Sequence, residues 1–175
     1  TETCSDGIKN QNEENVDCGG VCKLCKKFQA QPLAILESGM VDGGTTGNYD
    51  FYAYISNPNN ILGSHSFSYE IIVKDASGNE ISKRNGNSFI LPGEKKYIVE
   101  NNLKSESVPA SVELKISGTE WTEFVDYYER PQLDVVNKNY SEIVGGTGFS
   151  EAKGLLKNKS PFDFDLIKIR VVLKN

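Results

Sequence analysis

The sequence predicts an all-β protein whose N-terminus is a small cysteine-rich knot. Three observations indicate this. All four cysteines fall within the first 25 residues. Beyond residue 28 the apolar residues recur with a period of two, which is typical of half-buried strands, and no sustained 3.6-residue helical period is present. Turn-forming Gly, Asn, Asp and Pro residues interrupt this pattern about every 8 to 15 residues.

The composition limits the classes of function. With 38% hydrophobic and 25% charged residues, the chain is ordinary for a globular protein. A net charge of -5 and a pI near 5.0 argue against binding nucleic acid, which needs a basic surface. No apolar stretch reaches the roughly 18 to 20 residues that cross a bilayer. If the chain is extracellular, we therefore expect its export signal or membrane tether in sequence absent from this chain, before Thr1.

Residues 1–27 form the predicted knot, which is too short to bury a core and needs crosslinks to hold one shape. Zinc sites favour paired CxxC knuckles or Cys/His sets. Here there is one CxxC, and the only histidine, His65, is distant. Two disulfides are favoured over zinc, and a thioredoxin-like redox role is favoured least. The four cysteines can form two disulfides in three ways, and the sequence does not distinguish these pairings. Because disulfides persist outside the reducing cytosol, they predict an extracellular or cell-surface location. The cysteines are Cys4, Cys18, Cys22 and Cys25.

The loop between the first two cysteines is a candidate calcium site. Ca²⁺ takes six to eight oxygen ligands from loops of this kind, although the order here does not match the EF-hand pattern. The alternative is a solvated loop whose Asp and Asn side chains cap turns. The candidate ligands are Asp6, Asn10, Asn12, Glu14 and Asp17.

Residues 28–130 are predicted to form one complete β-sandwich. Seven strands in about 100 residues is the number expected of an immunoglobulin or fibronectin type III domain. We interpret the stretch from Gly63 to Ser66 as a loop and Gly86 as an interruption of the strand that runs from Glu80 to Leu91. Pro131 ends the domain, because proline removes a hydrogen-bond donor at a strand margin. The predicted strands are Phe28 to Val41, Tyr49 to Ile55, Phe67 to Val73, Glu80 to Leu91, Lys96 to Glu100, Val112 to Ile116 and Trp121 to Tyr128.

Residues 131–175 repeat the beginning of that domain and are predicted to be the first strands of a second, incomplete sandwich. The run from Gly154 through Asn158, followed by alternating apolar residues from Phe164 to Leu173, matches the run from Ala53 through Asn57. About three strands are marginal alone. Either the chain is a fragment of a longer protein, which we favour, or a partner supplies the missing strands by edge addition.

Two stretches carry a resemblance to known proteins. The pattern CxDGxxNxxExxVDCGGxCxxC, from Cys4 to Cys25, resembles a short motif of secreted bacterial and archaeal proteins, where it commonly precedes β-sandwich modules. The body, through Tyr54 to Asn59, Phe89 to Lys96 and Gly154 to Leu173, resembles uncharacterised, membrane-tethered bacterial envelope proteins with immunoglobulin-like domains, the later one of FxLYD type. The resemblance implies a location and an architecture, and it assigns no activity.

The sequence offers little for catalysis. A lone histidine excludes a histidine dyad, and no GxSxG nucleophile elbow is present. We therefore predict a non-enzymatic structural, adhesion or binding module of the cell envelope. Its partners would be a protein or glycan at the cell surface, or other copies of itself. One alternative is a filament or pilus subunit completed by strand exchange. Another is a carbohydrate-binding accessory module, whose aromatic contact surface would be Trp121, Phe124, Tyr127 and Tyr128.

Overall fold

The computed structural model describes residues 4–25, 29–124, 131–145, 150–161 and 163–173, and these residues confirm the all-β prediction. They contain nine strands, all paired antiparallel, and no helix, so no described segment is a helix able to cross a membrane. The chain divides into two compact units, Thr1–Gln31 and Pro32–Asn175. The strands are β1 (Ala34–Asp42), β2 (Asn48–Ser56), β3 (Leu62–Lys74), β4 (Glu80–Ile90), β5 (Lys95–Lys104), β6 (Ser111–Ser117), β7 (Trp121–Glu123), β8 (Leu133–Glu142) and β9 (Ser150–Asn158).

The strands form three sheets. The first has the order β1-β2-β5, and the second has the order β4-β3-β6 with β7 also on β3. Ser64 pairs with Ile90 of β4 on one side and with Trp121 of β7 on the other. Strands β6 and β7 therefore occupy successive stretches of the same side of β3. The third sheet is the hairpin β8-β9.

One buried cluster unites the first two sheets. In β2 the buried residues Phe51, Ala53 and Ile55 alternate with the half-buried Tyr52 and Tyr54, because successive side chains of a strand point to opposite faces. Burying each large side chain stabilises the fold by about 1.5 to 3 kcal/mol. The cluster is Phe51, Ala53, Ile55, Phe67, Tyr69, Ile71, Val73, Ile90, Ile98, Leu103 and Leu114.

Two glycines that suggested a loop and a break lie within strands. Strand β3 begins at Leu62 and so includes Gly63, and β4 continues through Gly86. The prediction was wrong at both positions because each glycine makes room for an aromatic ring. A Cβ at Gly86 would lie 2.3 Å from the Tyr69 ring, and one at Gly63 would lie 2.5 Å from the Phe124 ring. Glycine is therefore required at these positions by packing and not by a turn.

Tyr69 links the two sheets of the core. Its hydroxyl donates a hydrogen bond to Glu100 of β5, with an oxygen to oxygen distance of 2.5 Å. Burial raises the pKa of the Tyr69 hydroxyl, and the hydrogen bond to the Glu100 carboxylate raises it further. Arg84 of β4 approaches the same carboxylate at 3.6 Å. The Tyr69 hydroxyl is thus satisfied by a side chain of the other sheet, Glu100.

Asn57 fastens the loop after β2 to the turn between β4 and β5. Its side chain is 1% exposed, and its amide nitrogen donates to the carbonyl oxygens of Leu62 at 2.7 Å and Leu91 at 2.9 Å. Its amide oxygen accepts from the backbone N–H and the side-chain amide of Asn59, at 3.0 and 2.9 Å. All four hydrogen-bonding positions of this buried amide are therefore used.

The hairpin β8-β9 reproduces the hairpin β1-β2. Ala34 pairs with Ser56, and Asp134 pairs with Lys157, so an advance of 100 residues in the first strand and 101 in the second relates the two registers. The first strand of each hairpin carries one register shift. The Asn158 amide oxygen accepts the N–H of Ser160 at 2.9 Å, as Asn57 does from Asn59. The repeat predicted from the sequence is therefore visible in the backbone pairing.

The segment 163–173 differs from its predicted role as a third strand. It belongs to no described sheet, and residues 165–173 take part in none of the described backbone hydrogen bonds. Aliphatic residues recur at every second position of this segment: Ile167, Ile169, Val171 and Leu173. The last three of them are each more than half exposed. A strand is defined by pairing, and none of the described strands pairs with residues 165–173.

Candidate functional site

The predicted knot contains two disulfides and no free cysteine. The pairs are Cys4–Cys22 and Cys18–Cys25, with Cα to Cα distances of 5.5 and 4.9 Å. Because the loops that they close overlap, the two crosslinks interlock. Cys22 and Cys25 are not bonded to each other, so the CxxC does not form a redox disulfide. No hydrophobic side chain of residues 4–25 is buried, which leaves the crosslinks and hydrogen bonds to hold the knot.

Carboxylates organise the backbone of the knot. Asp17 accepts the N–H groups of Asp6 and Gly7 at 2.9 and 3.0 Å. Glu13, only 5% exposed, accepts the N–H groups of Asn10 and Asp17, each at 3.1 Å. The acidic loop is therefore built from charge-assisted hydrogen bonds to backbone N–H groups. These are the turn-capping interactions that the sequence offered as the alternative to calcium.

The calcium site stays a prediction. Of its five candidate ligands, Asp6 and Asn10 are joined by a 3.0 Å hydrogen bond and Asp17 holds the backbone of Asp6, while Asn12 and Glu14 are exposed. Among the described residues, the metal-ligating types converge at Cys4, Glu13 and Cys22, whose ligand atoms lie within 4.8 Å of one another. The two sulfurs there are joined in a disulfide, which leaves one carboxylate as a strong ligand.

Two of the four predicted aromatic contact residues lie beside β3. Trp121 is half-buried in β7, and the Phe124 ring packs against the His65 ring with centroids 5.4 Å apart. His65 is exposed. The other two, Tyr127 and Tyr128, lie outside the described residues. The aromatic contact surface therefore stays a prediction.

A groove that the sequence did not predict lies at the β4 and β5 edges in the second unit. Its volume is about 870 Å³. These two strands are edge strands of different sheets, and five residues of a later segment also line the groove: Phe164, Leu166, Ile167, Lys168 and Arg170. The apolar part of the lining includes Phe89, Tyr97, Phe164 and Leu166. Tyr97 also stacks on Tyr54, with ring centroids 4.6 Å apart, so its ring is held by the outer face of the first sheet.

Three cationic side chains line this groove: Lys96, Lys168 and Arg170. The Lys96 ammonium lies 3.7 Å from the centroid of the Phe89 ring and donates to the Phe89 carbonyl oxygen at 2.9 Å. Burial lowers the pKa of Lys96, and the charge of Arg170 lowers it further, while Glu94 acts in the opposite direction. No sequence signal indicated this cluster, because Lys96 and Arg170 are far apart along the chain and only the fold brings them to one groove.

The comparisons with known proteins assign no relative to the chain. No protein-family model matches it, and neither the curated proteins nor the solved structures contain a significant match.

Proposed function

We propose that this chain is a non-enzymatic module of an extracytoplasmic, cell-surface protein, in which a disulfide knot precedes tandem immunoglobulin-like β-sandwiches. The observation that carries the proposal is the pair of crosslinks Cys4–Cys22 and Cys18–Cys25. Disulfides form and persist outside the cytosol, where no reducing pool removes them. In the chain-entropy model, sequence separations of 18 and 7 residues correspond to about 3 and about 2 kcal/mol of stabilisation.

The sheet arrangement supports the sandwich part of the proposal. A three-stranded and a four-stranded antiparallel sheet share one core, which is the strand count of a constant-type immunoglobulin domain. The second hairpin, β8-β9, supports a tandem array because it repeats the register of β1-β2. Modules in tandem space a binding tip away from the envelope or make lateral contacts.

Labelling of intact cells tests the location. A membrane-impermeant amine reagent is added to cells that carry the native protein, and labelled lysines are mapped by mass spectrometry. We expect exposed lysines such as Lys104 and Lys115 to be labelled before lysis. Labelling that occurs only after lysis would refute an extracytoplasmic location. A cytosolic protein in the same cells provides the control for leakage.

A second candidate function, strand exchange between copies, is favoured by residues 165–173, which belong to none of the described strands. The alternating aliphatic residues of 165–173, and a backbone that takes part in none of the described hydrogen bonds, are the features that edge addition uses. Light scattering after size-exclusion chromatography at rising concentration tests this idea. We expect oligomers that Val171→Pro abolishes, because proline removes an N–H donor from the new ladder. A wild-type monomer at every concentration would eliminate strand exchange.

A further inference from the structure

The groove beside β4 and β5 gathers positive charge in a chain whose net charge is -5. Lys168 and Arg170 form no ion pair within the described part of the chain. Among the described residues, Glu94 is the one acidic residue that lines the groove, and its carboxylate already accepts the N–H of Leu91 at 2.7 Å. The groove therefore has more cationic than anionic groups, and its one carboxylate is partly engaged by the backbone.

The position of Lys96 makes this excess charge costly. Its ammonium is partly desolvated against the Phe89 ring; the charge of Glu94 offsets part of this cost, and the charge of Arg170 adds to it. Like charges at a desolvated site destabilise each other, whereas an anion close to both relieves the repulsion. Ammonium and guanidinium groups form their strongest hydrogen bonds with carboxylates and phosphates. The charges of the groove are thus complementary to an anionic ligand.

The remaining lining residues narrow the class of ligand. Asn87 and Ser88 line the groove with an amide and a hydroxyl, and the Asn87 amide oxygen already accepts from Ser68 at 2.9 Å, which leaves the amide N–H groups as donors. Phe89, which is 53% exposed, adds an aromatic surface. A ligand that matches all of these groups has a carboxylate, hydroxyls and an apolar face. An inorganic phosphate lacks the apolar face, and a fatty acid lacks the hydroxyls.

We propose that this groove binds an acidic sugar, namely a uronate unit of an acidic polysaccharide, with its carboxylate held by Lys96 and Arg170. The hydroxyls of the sugar bind Asn87 and Ser88, and its C–H face packs against the aromatic lining. A volume of about 870 Å³ is within the range of about 300 to 1,000 Å³ that is usual for small-ligand sites. This inference rests on the proposed cell-surface function, to which it adds a class of ligand.

Isothermal titration calorimetry of the full chain tests the proposal with oligogalacturonate as the probe. The matched neutral ligand is the same oligosaccharide with every carboxylate methyl-esterified. We expect the acidic form to bind and added salt to weaken it, because surface charges are screened. We expect the ester to bind at least about tenfold more weakly, since it cannot form the charge-assisted hydrogen bonds. Inorganic phosphate at the same ionic strength is the third ligand.

Two variants locate the site. We expect Lys96→Met and Arg170→Gln each to weaken binding at least about tenfold. Lys95→Met is the matched control: it removes the same charge from the adjacent position of β5, and Lys95 does not line the groove. Should Lys96→Met fail to fold, the Arg170→Gln variant decides, because Arg170 is exposed in a segment without described backbone hydrogen bonds.

Several results would overturn the proposal: no binding of oligogalacturonate at millimolar concentration, equal affinity for the methyl ester, equal affinity for inorganic phosphate, or variants that bind as tightly as Lys95→Met. None of these results would bear on the cell-surface function, which the labelling experiment tests separately. A protein that is labelled on intact cells but does not bind oligogalacturonate would refute this inference alone.

Discussion

Replacing Asn57 by alanine tests whether this side chain holds the loop after β2 to the turn between β4 and β5. The substitution removes two hydrogen bonds donated by the side-chain amide, to Leu62 and Leu91, and two accepted from Asn59. A hydrogen bond contributes about 1 kcal/mol net, and carbonyl groups left unsatisfied in a buried site cost more. Because Asn57 is 1% exposed, water does not readily replace these partners. We expect the free energy of unfolding to fall by about 3 to 4 kcal/mol, which is a large part of the stability of a domain.

Asn158→Ala is the matched control, because Asn158 holds the equivalent place in the second hairpin but is exposed. We expect it to lower the free energy of unfolding by no more than about 1 kcal/mol. Urea unfolding followed by the fluorescence of Trp121, the only tryptophan, measures both variants. If Asn57→Ala lost no more stability than Asn158→Ala, the assignment of Asn57 as the anchor between the two loops would be wrong.

Three further predictions concern the core and the knot. Tyr69→Phe removes the hydrogen bond to Glu100, so we expect a loss of about 1 kcal/mol at neutral pH in urea unfolding. The same substitution should also remove the part of the decrease in the free energy of unfolding at alkaline pH that comes from ionisation of Tyr69. The folded-state pKa of Tyr69 is raised, so stability that is present below the ordinary value of 10.0 is lost as pH rises through the folded value. The lowered pKa of Lys96 makes the free energy of unfolding rise with pH over the alkaline range, and it does so equally in the wild type and in Tyr69→Phe. If the free energy of unfolding depended on alkaline pH in the same way in both proteins, the assignment to Tyr69 would be contradicted. Gly86→Ala places a Cβ 2.3 Å from the Tyr69 ring, so we expect overpacking to lower the free energy of unfolding by about 1 to 3 kcal/mol. A thermal or urea midpoint equal to that of the wild type would show that the ring moves aside at no cost. Replacing both cysteines of the Cys4–Cys22 pair with serine should open the knot to limited proteolysis, while the β-sheet circular dichroism of the full chain stays unchanged because the strands all lie in Pro32–Asn175. A knot that remains resistant would mean that the Cys18–Cys25 disulfide and the hydrogen bonds hold it without the Cys4–Cys22 pair.

The strands could be predicted because the period of two and the turn residues are local signals. Strand β2 shows this, because every second residue from Phe51 to Ile55 is buried. Gly63 and Gly86 could not be interpreted locally, because the rings that require them come from Phe124 and Tyr69. The same limit applies to 163–173, where the alternation is correct for a strand but pairing depends on a neighbour that the local sequence does not specify.

The candidate sites divide in the same way. The crosslinked knot followed from the clustering of the cysteines, whereas their pairing did not, since three pairings were equally open to a sequence argument. The carboxylates of Asp17 and Glu13 bind backbone N–H groups, which the acidic composition of the loop did not distinguish from metal ligation. The cationic groove depends on tertiary structure, because it joins Lys96 to residues 168 and 170.

The oxidation state of the four cysteines tests the account most directly. Native protein is quenched in acid, alkylated without reduction, digested and mapped by mass spectrometry. The account predicts no alkylated cysteine and two crosslinked peptide pairs, Cys4 with Cys22 and Cys18 with Cys25. Four alkylated thiols, or four thiolates that release a zinc ion on acidification, would contradict the extracytoplasmic function at its foundation.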